Sequence, residues 1–254
     1  EWKEEWPFPG EDGKVPECVE VPFDERPAEA IIQSDSFAHE EDVLKNVWQW
    51  NHAADDTAWS FRERPGYLRL QNKNFASDLM RARNTLTQRT KAPGCAFTVN
   101  LECGGMADGD FAGLCVFLEK YGQIGIRQRN GKKSVVMRRR VGETAPYELQ
   151  RKGDLAALEE WYTIKETEAP FDGESVWLRI VFRFDSWGSQ EETAEFFYSL
   201  DGERFSPLGE KLDLLYSLSI FVGARIGIFS YNEGQGGAGF SDFRDFVADE
   251  SCEL

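Results

Sequence analysis

Apolar residues recur at every second position in short runs along this chain, and turn-forming residues separate the runs. Residues 96–102 alternate Phe97, Val99 and Leu101 with Thr98, Asn100 and Glu102, which predicts a strand with one buried and one solvated face. Residues 176–185 carry Val176, Leu178, Ile180, Phe182 and Phe184 on one side, because successive side chains of a strand point to opposite faces. In 225–231, Ile226 and Ile228 oppose Arg225, Phe229 and Tyr231. Residues 67–70 give a brief strand. The run 111–118 is apolar at both parities, so it is expected in the middle of a layered structure.

Turn chemistry predicts two tight hairpins. Asn130-Gly131 lies between QIGIRQR and KKSVVM, Asp201-Gly202 lies between EFFYSL and ERFSPLG, and both dipeptides accept the positive φ that two-residue turns demand. Helical signals are weaker: 78–90 and 154–161 open on Asp and space Leu and Ala at helical intervals, with Thr and Asn interrupting the first. Many short strands, local hairpins and little helix predict an all-β fold, two antiparallel sheets packed face to face as a β-sandwich. Residues 1–30 hold half of the ten prolines and no periodicity, and are expected to run as an extended arm whose Trp2, Trp6 and Phe8 need a covering surface. The chain thus divides into an arm (1–30), a sandwich (31–247) and a tail (248–254).

Charge narrows the partners. The 254 residues include 29 Lys and Arg against 45 Asp and Glu, a net charge of −16 that repels polyanions, so neither nucleic acid nor an anionic membrane is an expected partner. The longest apolar run is about eight residues against the ~20 of a membrane helix, which favours a soluble chain and leaves cytoplasm and secretion equally open. Five cysteines show no C-x-x-C spacing; Cys95, Cys103 and Cys115 fall in strand-like runs and read as buried thiols, with a disulfide involving Cys103 or Cys115 the competing reading.

Candidate chemistry is sparse. Glycoside hydrolysis needs two carboxylates in a cleft, but with this many acids chance pairs are certain, and Asp55-Asp56, Asp108-Gly109-Asp110 and Glu191-Glu192 read as turn or surface acids. Nucleophile-elbow, phosphate-loop, H-E-x-x-H and dinucleotide patterns are all missing, so no cofactor is required. Asp35 near the first strand and Asp242 near the last are candidate oxygen ligands for Ca²⁺ where the ends of a sandwich meet. Sugar recognition fits better. Trp48-Gln49-Trp50-Asn51-His52 combines flat aromatic faces with amides, and in a strand Trp48 and Trp50 would share a face; two core tryptophans are the competing reading. Arg83 leads a polar strip, shared with Arg81, Asn84, Thr87, Gln88 and Arg89, that could bond sugar hydroxyls or stand as a solvated edge.

Longer strings carry a family resemblance. WQWNHAADDTAWSFRERPGYLRL (48–70), ARNTLTQRT (82–90), DGDFAGLCVF (108–117), YGQIGI (121–126), YSLDG (198–202) and GARIGIFSYNEGQGGAGFSDFRDF (223–246) closely resemble the C-terminal concanavalin A-like β-sandwich of glycoside hydrolase family 43 β-xylosidases and arabinofuranosidases, also classed as carbohydrate-binding module family 91. Residues 2–16 resemble the edge of that family's five-bladed catalytic propeller. The resemblance implies a concanavalin A-like jelly roll, a propeller partner on the same or a separate chain, and xylo-oligosaccharide or xylan as the sugar. It places the catalytic acids in the propeller, so none is matched here. It also implies an aromatic side chain at the mouth of the propeller's pocket, with Phe221 the first candidate and Phe229 the second. A longer charged section at 138–172 and the tail ADESCEL depart from the family. The function so implied is that of an accessory domain shaping the substrate pocket of a xylan-degrading hydrolase; a stand-alone xylan-binding module is the alternative.

Overall fold

A computed structural model describes residues 29–250 apart from 74, 144, 153–156, 158–159, 185–191, 218–221 and 235–238, and in the first thirty only 2–3, 6–7, 10, 14, 17, 29 and 30. The chain forms two compact units, Glu1–Ala30 and Ile31–Leu254. The first contains an antiparallel pair, β1 (Trp2–Lys3) and β2 (Trp6–Pro7).

The second unit is a two-sheet antiparallel sandwich. Its strands are β3 (Gln49–Trp50), β4 (Trp59–Ser60), β5 (Leu68–Gln71), β6 (Thr85–Arg89), β7 (Gly94–Glu102), β8 (Asp110–Phe117), β9 (Gly122–Arg129), β10 (Lys132–Gly142), β11 (Tyr162–Phe171), β12 (Ser175–Arg183), β13 (Thr193–Ser199), β14 (Ser206–Pro207), β15 (Leu212–Asp213), β16 (Arg225–Asn232) and β17 (Phe240–Asp249). One sheet runs β11-β10-β9-β8-β16-β6-β3; the other runs β14-β13-β12-β7-β17-β5-β4, with β15 also on β13. The doubly apolar run sits at the centre: β8 is the middle strand of seven, and every residue of it is buried. Its even positions Ala112, Leu114 and Val116 face the other sheet, where Val99, Leu101, Val176, Leu178, Ile180 and Phe182 close the core.

The Asn130-Gly131 turn forms as predicted. Lys132 pairs with Arg129, and both turn residues hold positive φ (54° and 70°). Asp108 accepts both of their backbone N–H groups, at 3.0 and 2.8 Å. The second turn differs from the expectation. Pairing resumes only at Tyr198 with Ser206, because Asp201 draws the N–H groups of Glu203 and Arg204 onto its carboxylate and widens the loop. The predicted helix 78–90 is also overturned: a single 3₁₀ turn, Leu79–Arg81, gives way to strand β6. Asp78 caps that one turn through Arg81 N–H, but Thr85, Leu86 and Thr87 gain more by pairing with β16 than by continuing a helix. Most of 154–161 lies outside the described residues, and the short helix α1 (Tyr147–Lys152) precedes it.

Candidate functional site

The tryptophan motif folds inward. Strand β3 holds only Gln49 and Trp50, paired with Thr87 and Leu86, so Trp48 lies outside the pleat and the two indoles do not make one platform. Trp48 is 5% exposed; its ring meets Phe246 edge-on at 4.8 Å, and its Nε1–H donates to Asp35 Oδ2 at 3.0 Å. Trp50 is half-buried, packs on the core and lies 5.6 Å from Trp59. Trp48 is thus a core residue, as the competing reading had it, whereas Trp50 packs on the core with part of its ring at the surface. Arg83 is exposed and ties down a loop, donating from Nη2 to the carbonyl of Ala53 at 3.1 Å.

The two candidate calcium ligands are each committed elsewhere. Asp35 bridges to Phe246, four residues beyond Asp242 along β17 and so on the order of 10 Å from it. Its carboxylate accepts from Trp48, from the Phe37 N–H at 3.1 Å and from His39 at 2.8 Å. Burial pushes the Asp35 pKa up, yet these hydrogen bonds outweigh it and hold the carboxyl below its ordinary value. Asp242 takes a two-pronged pair from Arg69 (2.7 and 2.8 Å) and a further bond from Arg64 at 3.0 Å. The oxygens of both acids thus already accept from nitrogen donors. Among the described residues no cluster of three or more His, Cys, Asp or Glu could hold a metal ion.

Phe229 is fully buried. It belongs to a second cluster on the outer face of the seven-stranded sheet, where Phe111 lies 5.0 Å away and Leu79, Tyr121 and Tyr231 close over it. Phe221 lies outside the described residues. The same outer face holds an ion network that the sequence signalled only through its period of two. Arg127 and Arg138 both grip Glu166 (2.9 and 2.6 Å), Arg127 also reaches Glu168 at 2.7 Å, and Arg138 meets Tyr231 Oη at 3.0 Å and the Glu233 carboxylate. Burial raises the Glu166 pKa, but the arginines more than offset this and keep it below the ordinary range. A glycosidase acid needs the opposite shift. Asp110 is pushed upward by burial, but it is sealed from solvent and bonded to the Ala107 N–H and Asn232.

One cavity stands out, at an end of the sandwich where both sheets contribute strand ends. It measures about 650 Å³ and is lined by Arg89 of β6, Arg225 of β16, Phe184 after β12, Tyr216 after β15, and Glu192. That volume falls within the ~300–1,000 Å³ of small-molecule pockets. Arg89 and Arg225 are direct cross-strand partners. The Nε and Nη2 of Arg225 are buried without a hydrogen-bond partner. Burial, then the Arg89 charge, push the Arg225 pKa below its ordinary value. Composition concealed this site, because a cross-strand register brings together arginines 136 positions apart in an acidic chain.

Comparison with known proteins adds a family. The model of the β-xylosidase C-terminal concanavalin A-like domain matches residues 34–248. A β-xylosidase of Formosa agariphila is 25% identical over 276 residues, spanning 98% of this chain and 41% of the relative. A solved bifunctional GH43-CE protein of Bacteroides eggerthii is 33% identical with a TM-score of 0.77, covering 100% of this chain and 30% of its own. A solved GH43 glycoside hydrolase, engineered to display endo-xylanase and exo-arabinofuranosidase activity, is 25% identical with a TM-score of 0.72, covering 89% and 42%. The chain thus spans less than half the length of each of these relatives.

Proposed function

The chain belongs to the family of β-xylosidase C-terminal concanavalin A-like domains, and from that premise we propose that it is a non-catalytic accessory domain serving a family 43 catalytic domain, carried on the same or a separate chain, that acts on xylan-type substrates. The observation that carries this reading is the match over 34–248 together with the small share of each relative that the chain spans. The electrostatics agree with it. Glu166 and Asp242 are paired with arginines and Asp110 is sealed, so none of these three offers the raised, accessible acid that sugar-bond cleavage needs.

In this reading the sandwich narrows the catalytic pocket from one side and favours cleavage at chain ends. Phe221 is the proposed aromatic wall. Two measurements test the proposal. The isolated chain should not hydrolyse aryl xylosides or arabinofuranosides, and turnover by it would overturn the non-catalytic assignment. In the complete enzyme Phe221→Ala should raise KM while leaving kcat near normal, because binding shared equally by the ground and transition states is removed; an unchanged KM would remove the pocket-shaping role. Retardation of the isolated chain in a xylan-containing gel would instead support a self-sufficient binding module.

A further inference from the structure

A guanidinium with two buried N–H-bearing nitrogens and no acceptor is costly, since each unpaired donor forfeits its hydration without compensation. Arg225 is in that position, and its cross-strand neighbour Arg89 adds a second positive charge beside it. Neither arginine forms an ion pair among the described residues, although many other arginines of this acidic chain do. Glu192 lines the same cavity without pairing to either. Two like charges side by side at one cavity, neither in an ion pair among the described residues, describe a recess that suits an anion. The fork of an arginine matches a carboxylate by two parallel hydrogen bonds.

The rest of the lining says what carries the carboxylate. Phe184, stacked on Phe182 at 6.0 Å, gives the cavity a flat apolar wall, and Tyr216, largely exposed, gives it an aromatic rim. Glu192 adds an acceptor for hydroxyl groups. Aromatic faces against C–H surfaces, with charged groups at the edge, suit a pyranose ring. We infer that this cavity binds an acidic saccharide, the carboxylate of a hexuronate pairing with Arg225 and Arg89 while its ring lies against Phe184 and Tyr216. The choice of a sugar rests on the accessory-domain reading above; the choice of an anion rests on the Arg225–Arg89 pair. The site would direct the domain to chains that carry uronate groups, something a neutral xylan surface would not require.

The test is calorimetric titration of the 254-residue chain with D-glucuronate, D-glucose and acetate, each alone. Glucuronate should bind at least about tenfold more tightly than either, the scale of one charge-assisted pair. Arg225→Gln should lose that preference and Arg225→Lys should retain part of it, because a lysine keeps the charge but not the fork. The comparison of three ligands on the unaltered chain needs no variant to fold. Glucuronate binding no better than glucose would overturn the inference, and so would acetate matching glucuronate, which would mean a carboxylate recess without sugar recognition, of the kind an acidic side chain of a partner protein would fill. Hydrolysis by the isolated chain would refute the accessory reading and leave this titration interpretable.

Discussion

The indole Nε1–H of Trp48 donates to Oδ2 of Asp35 across 3.0 Å inside the sandwich, joining the segment before β3 to the residue that bridges to Phe246 of β17. The same carboxylate holds the Phe37 N–H, and Phe37 sits at φ 59°, so one acid fixes both an unusual backbone turn and a core tryptophan.

Replacing Asp35 by Ala should therefore cost about 2–4 kcal/mol, because at least two buried donors lose their acceptor. Urea denaturation of the variant checks this, and Trp48→Phe, which keeps most of the ring but not the N–H, should cost less. The pH dependence has a definite sign. The folded Asp35 pKa lies below its ordinary 3.8, so its contribution is fully present above that value and is lost as pH falls through the lower folded one. Asp35→Asn should flatten stability in that acid window, which acid titration of unfolding would reveal.

Asp242 is the second structural acid. Arg69 pairs with it bidentately from the neighbouring strand and lies 3.9 Å over the Phe240 ring, while Arg64 links it to Glu102. Asp242→Asn should cost about 2–3 kcal/mol, since the Arg69 fork then meets a neutral amide in place of the buried carboxylate. Arg64→Ala should cost under about 1 kcal/mol, because that side chain is partly exposed and screened. A reversal of this order in thermal melts would contradict the assignment of Asp242 as the hub.

Gly113 and Gly125 face each other across β8 and β9. A Cβ on Gly125 would lie 2.0 Å from the carbonyl oxygen of Ala112, and backbone cannot yield as a side chain would. Gly125→Ala should destabilise by more than about 3 kcal/mol, whereas Gly104→Ala, with nothing within 4 Å, should change stability by less than about 0.5 kcal/mol. Paired melting curves test the contrast.

Cys95, Cys103 and Cys115 are fully buried, and Cys103 and Cys115 carry free thiols, which agrees with their reading as small apolar side chains. Burial pushes the Cys115 thiol far up, so almost none is thiolate near neutral pH. Iodoacetamide under native conditions should leave Cys115 unmodified in a peptide map, with labelling only after denaturation.

The strands and their faces were legible in the chain because a period of two survives into any sheet, and the Asn130-Gly131 register was legible because only a few residues accept two successive positive φ angles. The resemblance of its strings to a known family was legible as well. What each aromatic does was not. Trp48 and Phe229 carry the same chemistry whether they meet sugar or core, and only the packing of Phe246, Phe111 and Leu79 around them decided in favour of the core. The pairing of Arg225 with Arg89 was equally hidden, because a local pattern specifies which side of its own strand a residue occupies, while the neighbour across the ladder depends on how distant strands are ordered.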